Sequence, residues 1–253
     1  MPYVTAGDPN LEWSERILDA VIESGGDMIE LGVPYSDPLA DGPTVQAAGQ
    51  RALRSGTTIR GVFDLVGKVR AKHPEVPIAL LVYYNCIFRW GEDRFARAAK
   101  ESGVDGLIVP DLPPEEAAGL EKAASEQGLD IIYLLAPTST PERIRAVVTR
   151  SQGFIYCVSL TGVTGARQKL SEQLAPFMQN VRQGLKEAGR SVPLAVGFGI
   201  STPDHARDVS RIAEGVIVGS ALIDRVASAP SPEEGIERGS ELVRAMRAAV
   251  RRG

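Results

Sequence analysis

The stretch ESGGDMIEL, residues 23–31, decides the fold. It reads as the end of a helix, a pair of glycines suited to the left-handed conformation of a helix cap, and a short apolar run. The same order returns in ESGVDGLIV at residues 101–109 and in EQGLDIIYLL at residues 126–135. The apolar runs are continuous rather than alternating, which is typical of parallel strands covered on both faces. The repeated order of helix, glycine and strand therefore predicts an α/β fold.

The same signals predict alternating strands and helices along the whole chain. The strands are expected to begin near Tyr3, Met28, Ile78, Gly106, Ile131, Phe154, Leu194 and Gly215. The helices are expected over residues 11–23, 59–72, 94–102, 115–127, 141–150, 174–188, 203–210 and about 232–251. This alternation favours a closed (β/α)8 TIM barrel, a single domain over residues 1–253, rather than an open doubly wound sheet.

The composition argues against several classes of protein. Hydrophobic residues make up 43% and charged residues 24% of the chain, as in a globular protein with a large core. The net charge of −4 offers no clustered basic excess for nucleic acid. The apolar runs are too short to span a bilayer, and the first residues carry no secretion signal. Cys86 and Cys157 lack the close cysteine or histidine spacing that zinc needs, so we expect no metal site and a cytoplasmic protein.

In a barrel of this kind the active site lies at the C-terminal ends of the strands. Glu30 stands inside the apolar second strand, where burial would raise its pKa and make it a general acid near neutral pH. A structural ion pair, or a side chain that faces the outer helices, is the alternative for Glu30. Asp41 precedes Gly42 and Pro43, a context in which aspartate is more often a turn former than a catalytic residue.

Glycine-rich turns follow the last three predicted strands. They read LTGVTGA at residues 160–166, GFGIS at residues 197–201 and VGSA at residues 218–221. Glycine lets the backbone approach an anion closely, and amides at a helix start point toward it. Three such turns at one end of a barrel predict a phosphate site; the alternative is that the glycines only make tight turns.

Neither histidine is placed for nucleophilic catalysis. His73 precedes Pro74 at a predicted helix end, and His205 lies in the first turn of a predicted helix. The sequence therefore argues against a Ser–His–Asp hydrolase. The interpretation that remains is carboxylate acid–base chemistry on a phosphorylated small molecule.

At this point the sequence resembles a known family, the tryptophan synthase α subunits. The similarity is carried by PYVTAGDP at residues 2–9, by ELGVPYSDPLADGP at residues 30–43, and by VTG at residues 163–165 followed by residues 197–201. The resemblance implies a lyase of tryptophan biosynthesis that cleaves indole-3-glycerol phosphate by a retro-aldol step to indole and glyceraldehyde 3-phosphate. It also implies that this chain needs no cofactor. Indole would pass to a β subunit that carries pyridoxal phosphate, in an α2β2 heterotetramer.

The resemblance also implies roles for individual residues. Glu30 corresponds to the general acid–base, and Asp41 to the carboxylate that engages the indole nitrogen. The substrate-binding positions correspond to Tyr3, Leu81, Tyr83, Ile108, Tyr156, Thr164 and Phe198, and the phosphate positions to Gly165, Gly199, Gly219 and Ser220. The loops after strands two and six, with Asp37 and Asp111, correspond to the region that meets the β subunit.

The beginning of the sequence departs from the family pattern. Members usually carry a helix before the first strand, whereas here Tyr3 already opens that strand. We therefore expect a barrel that lacks this helix, with either a translation start upstream or an unusually exposed barrel floor.

Three other functions compete with this interpretation. One is an epimerase or isomerase of sugar phosphates, although the loop at residues 34–43 is not typical of those barrels. Another is a catalytically silent subunit that only activates a β partner, which the presence of both Glu30 and Asp41 disfavours. The third is a stand-alone lyase that releases free indole, for which the site would be the same.

Overall fold

The computed structural model describes residues 1–159 and 173–250. Its strands are short, parallel and hydrogen-bonded in chain order. They are β1 (Tyr3–Thr5), β2 (Ile29–Gly32), β3 (Ile78–Leu81), β4 (Gly106–Ile108), β5 (Asp130–Ile132), β6 (Leu134–Leu135), β7 (Ile155–Val158), β8 (Leu194–Gly197) and β9 (Gly215–Val216). Each predicted strand start lies at or within one or two residues of an observed strand.

The strands form two sheets, β1 to β5 and β6 to β9, and hydrogen bonds between these sheets close the barrel. Strands β5 and β6 are separated only by Tyr133, whose carbonyl accepts from the Tyr156 amide at 3.0 Å, so together they act as one barrel strand. At the other seam, the Tyr3 amide donates to the carbonyl of Val218 at 2.9 Å. The Val218 amide donates in turn to the carbonyl of Met1 at 3.0 Å. The predicted TIM barrel is confirmed, and the open sheet was the wrong alternative.

Helices alternate with the strands and cover the outside of the barrel. They are α1 (Leu11–Glu23), α2 (Pro43–Arg54), α3 (Ile59–Lys72), α4 (Tyr84–Trp90), α5 (Glu92–Ser102), a 3-10 turn (Pro114–Glu116), α6 (Ala118–Gln127), α7 (Pro141–Arg150), α8 (Leu174–Glu187), α9 (Pro203–Ser210), α10 (Ser220–Ala227) and α11 (Pro232–Val250). Thr140 and Thr202 cap α7 and α9 by accepting from the amides of Arg143 and His205. Within the described ranges, no helix combines the length and apolar character needed to cross a membrane.

The structure differs from the sequence prediction at the catalytic end. Helices α2, α4 and α10 were not predicted, and each begins in or directly after a loop at the C-terminal end of a strand. Two of them are short, and α2 buries a face made mainly of alanine and glycine, which gives a weak apolar pattern. The helix predicted over residues 115–127 is split, because a 3-10 turn starts at Pro114 and ends before α6.

Two layers of buried side chains result from this arrangement. The larger cluster lies between the strands and the helices. A smaller cluster, which includes Tyr3, Ala79, Ile108, Tyr156 and Ala195, fills the barrel interior. At the floor, the N-terminal ends of the strands surround an apolar cavity of about 320 Å³.

Candidate active site

A cavity of about 140 Å³ opens at the C-terminal end of the barrel. It is lined by the two predicted carboxylates, by aromatic and aliphatic side chains, and by the glycine turns after β8 and β9. The lining consists of Tyr3, Glu30, Asp41, Gly42, Val45, Leu81, Tyr156, Phe198, Gly199, Ile200, Ser201, Ile217, Gly219, Ser220 and Ala221. One site therefore collects groups that the sequence places in six separate stretches.

Glu30 lies on β2 and points into the barrel. Its backbone is in register with Tyr3 on β1 and Ala79 on β3, both members of the interior cluster. The side chain is 1% exposed, and among the described residues its Oε2 has no hydrogen-bond partner and neither oxygen has an ion-pair partner. Burial raises the pKa of Glu30 to about 8, against an opposing effect of the Met1 ammonium group and with a smaller upward effect from the charge of Asp41. Glu30 is thus a protonated acid at neutral pH, rather than half of a structural ion pair.

Asp41 lies in the loop between β2 and α2. Its amide donates to the carbonyl of Pro38 at 3.1 Å, so it does occupy a turn, as its local sequence indicates. Its side chain nevertheless lines the cavity. Burial raises the pKa of Asp41 to about 6, and the neighbouring Tyr83 hydroxyl acts in the opposite direction. At neutral pH Asp41 is ionised, and the cavity holds one carboxylic acid and one carboxylate.

Two tyrosines form the wall beside Glu30, and each lies over a glycine. A Cβ atom on Gly32 would overlap the Tyr3 hydroxyl, and one on Gly197 would overlap the Tyr156 hydroxyl. The absence of side chains at these two strand positions leaves room for the tyrosine side chains. Phe198 meets the Tyr156 ring edge-on, with 6.0 Å between the centroids.

The two described glycine turns bring backbone amides to the cavity. Phe198 and Gly199 both have positive φ angles, 68° and 76°, which for Phe198 is a strained conformation found mostly at functional sites. Helix α10 begins at Ser220, directly after Gly219, so the amides of Ser220 and Ala221 and the positive end of the helix dipole lie at the cavity. This is the geometry of an anion site.

Not every predicted site residue reaches this cavity. Tyr3, Leu81, Tyr156, Phe198, Gly199, Gly219 and Ser220 line it, whereas Tyr83 and Ile108 are buried close by without lining it. Thr164 and Gly165 lie outside the described residues.

Sequence reasoning missed some of the lining residues. Val45 lies on α2, a helix that was not predicted, and Ile217 extends β9 toward the cavity. Ser201 and Ala221 belong to the glycine turns, and their positions beside the glycines were a signal that could have found them.

Known proteins resemble this chain over most of its length. The family model described as tryptophan synthase alpha chain matches residues 1–251. The tryptophan synthase alpha chain of Citrifermentans bemidjiense is 52% identical over 221 residues, which cover 87% of this chain and 80% of that protein. That of Trichormus variabilis is 47% identical over 252 residues, covering 99% and 92%. The solved structure described as Mycobacterium tuberculosis tryptophan synthase has a TM-score of 0.89 at 38% identity, covering 100% of this chain and 92% of that one.

Proposed function

The chain belongs to the tryptophan synthase alpha chain family, and on that premise we propose how its cavity works. The reaction is the lyase step of tryptophan biosynthesis, in which indole-3-glycerol phosphate is cleaved to indole and glyceraldehyde 3-phosphate. The observation that carries the proposal is the pairing of a protonated Glu30 with an ionised Asp41 in one cavity. Two carboxyl groups whose pKa values are separated by their surroundings are suited to divide acid and base roles.

Glu30 acts first as an acid and then as a base. Its proton is transferred to C3 of the indole ring, which leaves positive charge at the ring nitrogen, and the Asp41 carboxylate stabilises that charge. The Glu30 carboxylate then accepts the hydroxyl proton of the glycerol carbon attached to C3. As that hydroxyl becomes a carbonyl, the carbon–carbon bond breaks and its electron pair restores the indole ring. Glu30 ends the cycle protonated.

The walls and turns of the cavity support binding of this substrate. Tyr3, Leu81, Tyr156 and Phe198 offer flat apolar surfaces for an indole ring. Gly199, Gly219 and Ser220 place backbone amides and a helix N-terminus where the phosphate would lie. Gly165 stays a predicted member of this phosphate site, and Thr164 stays a predicted substrate-binding residue.

The proposal includes a partner on the same face of the barrel. Leu39, on the loop after β2, is 86% exposed, and Phe88, on α4, is 67% exposed. With Asp37 and Asp111 they form an apolar and acidic surface around the catalytic end, which suits a protein partner. We assign this surface to a β subunit that carries pyridoxal phosphate and receives the indole, in an α2β2 heterotetramer. The alpha chain itself contributes no cofactor in this scheme.

A cytoplasmic location completes the proposal. Cys86 and Cys157 are both free thiols, which suits a reducing compartment.

Product analysis with the purified chain tests the proposal. Incubation with indole-3-glycerol phosphate should release indole and glyceraldehyde 3-phosphate in equal amounts. Addition of a β subunit and serine should convert the indole to tryptophan. Absence of both products, with and without the β subunit, would overturn the assignment, whereas rapid release of indole that a β subunit leaves unchanged would identify a stand-alone lyase.

A further inference from the structure

The turn that carries Asp41 has little support of its own. Its internal hydrogen bonds run from the Leu39 amide to the Asp37 carbonyl at 3.0 Å and from the Asp41 amide to the Pro38 carbonyl at 3.1 Å. Leu39 at its tip is 86% exposed. A loop of this kind is mobile unless neighbouring groups hold it, and a misplaced carboxylate would weaken catalysis.

Tyr83 holds the inner side of this turn. Its hydroxyl accepts a hydrogen bond from the Ala40 amide at 2.9 Å. The same hydroxyl lies close enough to the Asp41 carboxylate to lower the pKa of that group. The Tyr83 ring is fixed by stacking on Tyr35, with 5.0 Å between centroids and an angle of 25° between the planes. The Tyr35 hydroxyl accepts in turn from Asn85 Nδ2 at 3.2 Å.

Gln46 holds the outer side. From the first turns of α2, its Nε2 donates to the Asp41 carbonyl at 2.9 Å and points toward the Pro38 carbonyl at 3.5 Å. Its own amide donates to the Gly42 carbonyl at 3.0 Å, as part of the helix start. The Gln46 side chain is exposed, so it does not pack in the core. Its side-chain hydrogen bonds are made to the turn.

We propose that Tyr83 and Gln46 are positioning residues that clamp the turn at residues 38–41 and so hold the Asp41 carboxylate toward the cavity. Tyr83 thereby acts through Asp41 rather than as a wall for the indole ring, in line with its absence from the cavity lining. The inference rests on the proposed function, because a clamp on Asp41 matters only if Asp41 takes part in the reaction.

The two arms of the clamp should differ in their effects. Gln46 reaches only the backbone, so Gln46→Met, which keeps the length of the side chain but loses the donor, should lower kcat. Loss of one hydrogen bond corresponds to about five- to tenfold in rate, and we expect KM to change by less than about twofold. Gln50→Met, an exposed glutamine one turn later on the same helix, is the matched control and should behave as the native chain. Equal kcat values for the two variants would overturn the role of Gln46.

Tyr83 also reaches the carboxylate, so Tyr83→Phe should raise the pKa of Asp41 as well as lower kcat. The pKa can be followed in the substrate-free protein by carbon-13 NMR of labelled aspartate carboxyl groups, assigned with Asp41→Asn. We expect an upward shift in Tyr83→Phe and none in Gln46→Met or Gln50→Met. An unchanged pKa of Asp41 in Tyr83→Phe would overturn the clamp. Because this titration needs no substrate, an inactive native chain with a shifted Tyr83→Phe titration would contradict the proposed reaction and leave the clamp standing.

Discussion

Glu30 and Asp41 are close in the sequence, but Glu30 lies on strand β2 and Asp41 lies in the loop that follows it, so their environments differ. Glu30 is fixed by strands on both sides, and its amide donates to the carbonyl of Pro2 at 3.1 Å. Asp41 is half-buried in a loop, and the nearby Tyr83 hydroxyl favours its charged form. The strand therefore removes water from its carboxyl and favours the neutral form, whereas the loop leaves enough polar contact for the charged form. Local burial, rather than residue type, therefore sets which of the two carboxyl groups is neutral and which is charged.

Removal of the strand carboxyl should have the largest effect. Glu30→Gln keeps the shape of the side chain but can neither donate nor accept the transferred proton. We expect kcat for indole release to fall by about 10²- to 10⁴-fold, with a smaller change in KM. Glu12→Gln, an exposed carboxylate on α1, serves as the control. Turnover of Glu30→Gln at the native rate would contradict the role of Glu30.

Changes to the loop carboxyl should be graded. Asp41→Asn removes the negative charge that stabilises the indole nitrogen, and an electrostatic contact of this kind is worth about 10²- to 10³-fold in kcat. Asp41→Glu keeps a carboxylate in a loop that can adjust, so it should retain more activity than Asp41→Asn. The comparison uses kcat of both variants beside Asp64→Asn, an exposed residue of α3. If Asp41→Asn retained as much activity as Asp41→Glu, a charge at this position would be unnecessary.

A methyl group on the strand should disturb the wall beside Glu30. Gly32→Ala would place its Cβ against the Tyr3 hydroxyl, so the ring must move or the strand must bend. Overpacking of this kind costs about 1–3 kcal/mol and should lower the melting temperature by several degrees. Gly49→Ala, in α2, has no atom within 4 Å of the new Cβ and should leave stability equal or raised. A melting temperature that is unchanged in Gly32→Ala would mean that the tyrosine contact is loose.

Burial of Glu30 should also appear in the pH dependence of stability. The pKa of Glu30 is about 8 in the folded chain against 4.5 for an ordinary glutamate, so between these pH values the folded state binds more protons than the unfolded state. The native chain should therefore lose stability as pH rises through this window, by at most about 5 kcal/mol from this group. Glu30→Gln lacks this titration, so its stability relative to the native chain should increase from pH 5 to pH 8. Denaturant unfolding at several pH values measures the difference, and a constant difference would show that Glu30 is not buried as a neutral acid.

The sequence predicted the barrel well because its signals are local. Continuous apolar runs after capping glycines mark the strands, and threonine before proline marks the starts of α7 and α9. Glu30 was predictable for the same reason, since an ionisable residue inside an apolar strand can point only into the barrel or toward the outer helices. Helices α2, α4 and α10 escaped prediction because they are short or carry a weak apolar pattern.

The site was less predictable because it depends on contacts between distant residues. Asp41 has the local sequence of a turn, and only the closed barrel brings it to the same cavity as Glu30. Tyr83 belongs to a resemblance-based set of pocket residues, yet its hydroxyl holds a loop from another strand. Gln46 donates hydrogen bonds to backbone carbonyls, and such bonds cannot be predicted from the sequence pattern of side chains.

The pH dependence of kcat/KM for indole release tests the central contrast most directly. Catalysis needs protonated Glu30 and ionised Asp41 together, so the profile should be a bell with limbs near pH 6 and pH 8. These limbs belong to the interacting pair rather than to either group alone. Asp41→Asn should remove the lower limb at reduced activity and move the upper limb to lower pH, because the charge of Asp41 helps to raise the pKa of Glu30. A profile that is flat across this range, or that rises through pH 8, would contradict the assignment of Glu30 as the acid and Asp41 as the anion.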